Sequence, residues 1–286
     1  MYKMIAIDLD GTLLTDDLLI SPGTAAAIRK AIEMGAVVTI ATGRMFSSAK
    51  LIAQQLGITA PLITYQGAMI KAANDGEVLY ERSVSPEIAK SLIEIAHQKN
   101  IHLQVYQDDT LYGAAETDKL VAYAKAVNVP YVIEPDLMKL AQKGFTKLLF
   151  IDEPGALDGL QKELQLVFGE FAYIEKSKTN YLEVTHPEAN KGNALLFLAN
   201  ELGIDRLEVI GIGDNHNDFE LIKAAGFGIA MGNAVQAVKD IADYTTLTNN
   251  DEGVRHAIDQ FILEPEMAVV TTEGSEEHAQ LGRKKL

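Results

Sequence analysis

One segment near the start of the chain combines a buried strand with a pair of carboxylates: Lys3-Met4-Ile5-Ala6-Ile7-Asp8-Leu9-Asp10-Gly11-Thr12. Its apolar run predicts a central strand, residues 3–9, of a sheet that is covered on both faces. Asp8 lies inside this run, where a carboxylate is costly unless it is paired or bound to a metal. Gly11 permits a sharp turn directly afterwards. We interpret the two aspartates as a ligand site at a strand end, although Asp and Gly are also common in surface turns.

Predicted strands and helices alternate in the first and last parts of the chain, but not in its middle. Ser21-Pro22 is typical of a helix start, with Ser as N-cap and Pro at the first helical position. The β-α-β-α-β rhythm around it predicts a doubly wound parallel α/β sheet. The predicted segments are strands 3–9, 36–41 and 61–65 and helices 22–34 and 45–56.

The middle of the chain loses this rhythm. A hairpin is predicted around Asn74-Asp75-Gly76, and paired strands mixed with helices follow. We therefore expect a catalytic core of residues 1–83 and 187–263, interrupted by an inserted α+β domain of residues 84–186. Residues 264–286 are expected to form a polar tail.

Three other motifs follow or flank predicted core strands. Thr42-Gly43-Arg44 follows the second strand, and Asn190-Lys191-Gly192 opens a helix whose positive end would favour a phosphate. The segment 211–218, Gly-Ile-Gly-Asp-Asn-His-Asn-Asp, follows a later strand and offers the hard oxygen ligands that Mg²⁺ prefers. Each could be an ordinary helix cap or turn, but ligands bind beyond the carboxyl ends of such strands. The joint pattern predicts one ligand-binding crevice.

The composition excludes several classes of protein. Twenty-five basic and forty acidic residues give a net charge of −15, which argues against nucleic-acid or anionic-membrane partners. The absence of cysteine excludes disulfides, thiolate catalysis and iron–sulfur clusters and fits a cytoplasmic location. No apolar run of membrane-spanning length and no signal peptide is present in the sequence. P-loop, complete dinucleotide, zinc-protease and serine-hydrolase motifs are missing as well.

The four motifs, in this order, resemble those of the haloacid-dehalogenase superfamily of aspartyl phosphatases. The likeness is to its Cof-type branch, which carries a large cap inserted after the third core strand, and it covers about residues 1–263. One departure is Gln66-Gly67 after the third strand, where similar proteins usually have Asn-Gly. The resemblance implies a phosphoric monoester hydrolase acting on a small phosphorylated metabolite, with specificity expected in the cap and at Gln66.

The resemblance also implies a role for each motif residue. Asp8 is the expected nucleophile and Asp10 the expected general acid and base. Mg²⁺ is expected on the Asp8 and Asp214 carboxylates and the Asp10 carbonyl. The expected phosphate-binding groups are the Leu9 amide, Thr42, Gly43, Lys191 and Asn217, with Arg44 as a brace and Asp218 orienting Lys191.

Three alternative functions share some of these residues, and only the first cannot be separated from a phosphatase by residues alone. A sugar phosphomutase would form the same aspartyl-phosphate and return the phosphoryl group to the sugar. A catalytically inactive sugar-phosphate sensor would share the binding groups, although intact Asp8 and Asp10 argue against it. A phospho-receiver domain would carry its aspartate on the third strand, where residues 61–65 contain none. Flavin-pathway phosphates fit the resemblance as well as sugar phosphates do.

Overall fold

The computed structural model describes residues 2–264. These residues form two compact units, one of residues 2–39, 56–58 and 199–264 and one of residues 40–55 and 59–198. The predicted inserted domain, residues 84–186, belongs wholly to the second unit, and its limits stay a prediction. The predicted polar tail lies outside the described residues, apart from Glu264.

The elements largely follow the predicted segments. The strands are β1 (Met4–Ile7), β2 (Val37–Ile40), β3 (Leu62–Thr64), β4 (Met69–Lys71), β5 (Val78–Glu81), β6 (His102–Gln107), β7 (Thr110–Gly113), β8 (Tyr131–Ile133), β9 (Lys147–Ile151), β10 (Tyr173–Lys178), β11 (Tyr181–Thr185), β12 (Val209–Gly213), β13 (Phe227–Ala230) and β14 (Tyr244–Thr245). The helices are α1 (Pro22–Glu33), α2 (Phe46–Leu56), α3 (Pro86–Lys99), α4 (Asp118–Val127), α5 (Leu137–Leu140), α6 (Pro154–Phe168), α7 (Lys191–Glu201), α8 (Phe219–Ala224), α9 (Gln236–Lys239) and α10 (Gly253–Ile258). A π-helical turn, Asp259–Leu263, follows α10.

The first unit is built on a five-stranded sheet with the order β14-β13-β12-β1-β2. Three of its neighbouring pairs, β1 with β12, β12 with β13 and β13 with β14, are parallel. All four residues of β1 are buried, as expected for a central strand. Helix α1 starts as predicted, with the Ser21 hydroxyl accepting a hydrogen bond from the Thr24 amide at 3.0 Å. The parallel sheet with its helices confirms the α/β class.

The predicted third strand forms, but its main pairing differs from expectation. β3 pairs antiparallel with β4, and β4 pairs antiparallel with β5, in a three-stranded sheet. An isolated parallel bridge joins β3 to the residue after β2, between Ile63 and Ala41. The cause of the antiparallel pairing is local: Tyr65, Gln66 and Gly67 have φ values of 53°, 59° and 93° and turn the chain back on itself.

The second unit also contains a six-stranded sheet, with the order β10-β11-β9-β6-β7-β8. One apolar cluster joins β6, β9 and β11 to α3 and α6 through buried residues such as Leu92, Leu148 and Leu160. A second cluster joins the sheet, through residues such as Tyr106 of β6, to α4 and to Met45 and Tyr65 near the predicted phosphate motif. The sheet with helices matches the predicted α+β character of the inserted segment. β8 and α5 were not predicted, because they are only three and four residues long.

Candidate active site

The ends of two neighbouring strands place Asp8 and Asp214 at the same edge of the first unit's sheet. β1 and β12 are parallel partners with Ile7 opposite Ile212, and the Asp8 amide donates to the Ile212 carbonyl at 3.0 Å. Asp8 follows β1 directly and is 4% exposed. Asp214 follows β12 directly and is half-buried. Adjacent parallel strands thus deliver two carboxylates to the edge where α/β sheets bind ligands.

The turn after β1 packs against Asp214. Gly11 has a φ of +81°, and a Cβ added to it would lie 2.5 Å from Asp214 Oδ2. The buried Thr12 hydroxyl donates to Asp214 Oδ1 at 2.9 Å. Asn233 Nδ2 donates to the Gly11 carbonyl at 2.8 Å. Glycine is therefore required here both for the left-handed turn and for the close approach. Asp10, one residue earlier, is exposed.

A second turn holds the backbone that carries Asp214. The buried Asp218 accepts hydrogen bonds at Oδ2 from the amides of Asp214 and Asn215, at 2.9 and 3.1 Å. Gly213 leaves room for this, because a Cβ there would overlap the Asp218 side chain. Asn217 lies in the same turn with an exposed side chain. These two hydrogen bonds make Asp218 a brace for the Asp214 loop.

The donor set of the first unit fits a hard divalent cation. One carboxylate oxygen from each of Asp8, Asp214 and Asp218 lies within 4.8 Å of the others. Three carboxylates this close repel one another, and a bound cation would relieve that repulsion. Mg²⁺ suits the set because it binds through one or two carboxylates and keeps several waters. Since Asp218 Oδ2 already accepts two amides, Asp8 and Asp214 are the better side-chain ligands.

The second unit holds the Thr42-Gly43-Arg44 loop in a defined geometry. The Thr42 amide donates to the Ile63 carbonyl at 2.9 Å, and the buried Thr42 hydroxyl accepts from the Arg44 amide at 3.2 Å. The Gln66 amide donates to the Thr42 carbonyl, and the Tyr65 amide to the Arg44 carbonyl, both at 3.0 Å. The loop between β2 and α2 is therefore fixed on both sides by the turn that follows β3.

That turn also connects the loop with the lysine motif. A Cβ on Gly43 would overlap the side-chain amide of the half-buried Gln66. A Cβ on Gly67 would overlap the Asn190 carbonyl and lie 2.9 Å from the Lys191 amide. Gln66-Gly67 thus lies between two predicted phosphate-binding segments, the Thr42–Arg44 loop and the start of α7, and packs against both. Lys191 is fully buried and begins α7, at the helix start that the sequence predicts. The side chain of Leu9 is also fully buried, in the first unit.

Two residues that support the loop, Asp109 and Tyr65, were not predicted from the sequence. Asp109 lies in the turn between β6 and β7 and accepts hydrogen bonds from the amides of Phe46 and Ser47, each at 2.9 Å. It also accepts from the Tyr65 hydroxyl at 2.8 Å. Burial, and then the Asp109 carboxylate, hold the pKa of Tyr65 well above its usual range, so the hydroxyl keeps its proton. No local sequence pattern signals the contacts of Asp109 with residues 46, 47 and 65.

Comparison with known proteins identifies the family. Residues 5–258 match the family model described as haloacid dehalogenase-like hydrolase. The chain belongs to this family. Within it, the matching family model places the chain in the Cof-type branch of haloacid dehalogenase-like phosphatases.

Relatives of this haloacid dehalogenase-like hydrolase are phosphatases. A 5-amino-6-(5-phospho-D-ribitylamino)uracil phosphatase of Bacillus subtilis is 30% identical, covering 90% of this chain and 97% of the relative. An HMP-PP phosphatase of Cronobacter sakazakii is 32% identical, covering 82% of this chain and 86% of the relative. The crystal structure of TM0651 from Thermotoga maritima matches with a TM-score of 0.84 at 38% identity, covering 91% of this chain and 97% of that one.

These relatives make the chain a phosphatase of the haloacid dehalogenase-like family. Phosphatases of this kind act on small phosphorylated substrates, and the family generally uses Mg²⁺. Among residues 2–264, the structure has no helix that is both long and apolar enough to cross a membrane.

Proposed function

We propose that this phosphatase hydrolyses small phosphomonoesters with Mg²⁺, through an aspartyl-phosphate on Asp8. The observation that carries the proposal is the position of Asp8: a buried carboxylate at the end of β1, beside the end of β12 that carries Asp214. A carboxylate in this position is an unusual choice for structure alone, because burial beside other carboxylates is unfavourable. It is a suitable nucleophile when a cation and phosphate-binding groups complete its surroundings.

The proposed reaction has two displacements at phosphorus. In the first, an Asp8 carboxylate oxygen forms a bond to phosphorus, the bond to the substrate alcohol oxygen breaks, and Asp10 gives that oxygen its proton. In the second, Asp10 takes a proton from water, whose oxygen attacks phosphorus and releases Asp8 and inorganic phosphate. The exposure of Asp10 is consistent with access to both the leaving alcohol and water.

The remaining motif residues are proposed to bind the metal and the phosphoryl oxygens, or to hold the loops that carry these ligands. The side chains of Asp8 and Asp214 and the Asp10 carbonyl would hold Mg²⁺, which when bound lowers the repulsion between an anionic nucleophile and an anionic phosphate. Asp218 fixes the backbone of Asp214, and its predicted action on Lys191 is part of the proposal. The proposed ligands of the phosphoryl oxygens are the Leu9 amide, Thr42, Gly43, Lys191 and Asn217, with Arg44 bracing the loop.

The substrate class is proposed from the relatives and from the inserted domain. One relative is named for a phosphoribitylamino-uracil and another for HMP-PP, both small phosphorylated metabolites. The proposed substrates are small sugar phosphates, which the family resemblance implies, and flavin-pathway phosphates, which the first of these relatives supports. The inserted domain, residues 84–186, is proposed to contact the leaving group and to exclude water during the reaction.

The proposed function is tested with a panel of phosphomonoesters assayed with Mg²⁺ and ranked by kcat/KM. The panel contains sugar phosphates, a ribitylamino-pyrimidine phosphate, nucleotides and an aryl phosphate, and free phosphate and sugar isomers are both measured as products. Release of inorganic phosphate supports the proposal. Isomerisation of a sugar phosphate without phosphate release would identify a mutase, and no turnover of any compound would favour a sensor.

Replacement of Asp10 by Asn is expected to affect poor leaving groups most. An aryl alcohol leaves with little protonation, whereas an alkyl alcohol needs a proton, and general acid catalysis is typically worth about 10²- to 10⁴-fold. The loss in kcat/KM on an alkyl phosphate should exceed the loss on an aryl phosphate by about this factor. Steady-state assays of both substrates measure it. Equal losses would show that Asp10 does not act mainly as the acid.

Replacement of Gln66 by Ala is expected to change specificity more than chemistry. The preferred sugar phosphate should show a higher KM or a lower kcat, while an aryl phosphate without hydroxyls should be hydrolysed nearly as before. The companion variant is Asn180→Ala, in the exposed turn between β10 and β11. The polar segment 178–181 around it is proposed, like Gln66, to contact the substrate. A parallel loss on both substrates would show that these residues support the fold or the phosphate loop instead.

A further inference from the structure

Asp109 connects the predicted inserted domain with the predicted phosphate-binding loop. It lies in the tight turn between β6 and β7, where Asp108 and Asp109 both have left-handed backbones with φ values of 51° and 58°. Its Oδ1 accepts from the Phe46 amide at 2.9 Å and from the Tyr65 hydroxyl at 2.8 Å. Its Oδ2 accepts from the Ser47 amide at 2.9 Å. One carboxylate therefore joins three segments of the second unit.

Both connections lead to the same loop. Phe46 and Ser47 are the first two residues of α2, which starts directly after Thr42–Met45. Tyr65 donates through its own amide to the Arg44 carbonyl at 3.0 Å, and the next amide donates to the Thr42 carbonyl. Asp109 thus holds the loop from its helical side and from the side of the turn after β3.

The hydrogen bonds of Asp109 are of a kind that fixes the positions of the groups that they join. An ionised carboxylate at a helix N-terminus accepts amides that have no partner within the helix and interacts favourably with the helix dipole. Tyr65 is fully buried and holds a left-handed backbone, which is uncommon for a bulky residue and persists only when its surroundings impose it. Its ring packs edge-on against Tyr106 of β6 at 5.7 Å between centroids, so the hydroxyl bond to Asp109 adds direction to an apolar contact.

We propose that Asp109 is a positioning residue for phosphate binding: the turn between β6 and β7 sets the geometry of Thr42-Gly43-Arg44 through α2 and Tyr65. Asp109 touches no reacting atom in this role. The inference rests on the proposed function only in taking that loop to bind the phosphoryl oxygens. It assigns to the inserted domain a role in phosphate binding that is separate from contact with the leaving group.

The test compares Asp109→Asn with Asp108→Asn. The amide introduced by Asp109→Asn would face the Ser47 or Phe46 amide with a donor in place of an acceptor, and the charge would be lost. Asp108 has the same backbone conformation in the same turn, but its side chain is exposed and 3.8 Å from Lys143, so it is a matched control. Tyr65→Phe removes only the hydroxyl bond. The measurements are kcat and KM on an aryl phosphate, the affinity for inorganic phosphate, and amide hydrogen exchange over residues 42–47.

The expected result for Asp109→Asn is an increase of about tenfold in both KM and the phosphate dissociation constant, the loss that one charge-assisted hydrogen bond accounts for. The kcat should fall less than KM rises, because Asp8 and Asp10 are unchanged, and exchange at Phe46 and Ser47 should accelerate. Tyr65→Phe should give a smaller change, and the double variant little more than Asp109→Asn alone.

Other outcomes separate this inference from the proposed function. All assays are run at a temperature where circular dichroism shows each variant folded, so that a general loss of stability does not change the affinities. If Asp109→Asn kept the kinetics and the phosphate affinity of the wild type, the inference would be overturned and the proposed function would still stand. If the wild-type protein hydrolysed no phosphomonoester, the proposed function would fail, and unchanged phosphate affinity and amide exchange in Asp109→Asn would still overturn the inference.

Discussion

Asp8→Asn is expected to lose nearly all phosphatase activity, by about 10⁴-fold or more in kcat, because the amide cannot form the covalent intermediate. The loss should be equal for aryl and alkyl phosphates, since it removes the first bond to phosphorus rather than the proton for the leaving group. Steady-state assays with Mg²⁺ on both substrates measure it. Asp17→Asn is the matched control, the same change at an exposed position of the same unit.

The folded state of this variant is part of the prediction. Asp8 lies with Asp214 and Asp218 in a cluster of carboxylates, and an amide in its place lowers their mutual repulsion. In metal-free buffer the thermal midpoint of Asp8→Asn should therefore equal or exceed that of the wild type. Substantial phosphatase activity in a well-folded Asp8→Asn protein would contradict the assignment of the nucleophile.

Removal of divalent metal is expected to abolish turnover, and added Mg²⁺ to restore it. Three carboxylate oxygens within 4.8 Å make the site strongly negative without a cation, which disfavours the approach of a phosphate dianion. Calcium should bind and inhibit, because its looser coordination suits in-line attack poorly. Activity is measured after chelation and during titration with each cation.

The thermal midpoint gives a second measure of the metal that does not depend on turnover. A cation that binds only the folded protein raises the midpoint as its concentration exceeds its dissociation constant. Mg²⁺ should raise the thermal midpoint of the wild type. It should raise the midpoint of Asp214→Asn much less, because this variant lacks one proposed ligand. Full turnover in metal-free buffer, or an equal Mg²⁺ shift in both proteins, would refute the proposed role of the metal.

The sequence predicted features that depend on the residue types of one short segment. Asp8 could be assigned to a strand end because a carboxylate interrupts an apolar run, and Ser21-Pro22 could be assigned to a helix start because both residues have strong positional preferences. The turn at Gly11 was also predicted, although its close approach to Asp214 was not. That approach depends on contacts between residues about 200 positions apart in the chain, which no local pattern encodes.

The missed features depend on long-range contacts or on strain. The sequence predicts β3 as a further parallel strand, and a parallel bridge joins Ile63 to Ala41. The left-handed turn at Tyr65 and Gln66, which also reverses the chain into an antiparallel pairing with β4, was not predicted. Neither residue type favours that conformation, so sequence preference gave no warning. Asp109 lies in the turn between β6 and β7, and its contact with α2 joins positions 63 residues apart. The motifs proposed to bind phosphate are visible in the sequence, whereas the residues that hold them in place are not.

The central claim is the aspartyl-phosphate on Asp8, and its most direct test is the mass of the protein during turnover. Asp10→Asn should accumulate the intermediate from an aryl phosphate, because its formation needs no acid while its hydrolysis lacks the base. After acid quenching, we predict one added phosphoryl group on the peptide that contains Asp8, and none in the Asp8→Asn/Asp10→Asn double variant. A phosphoryl group on another peptide, or an unmodified Asp8 peptide in a variant that still releases the aryl alcohol in an initial burst, would contradict it.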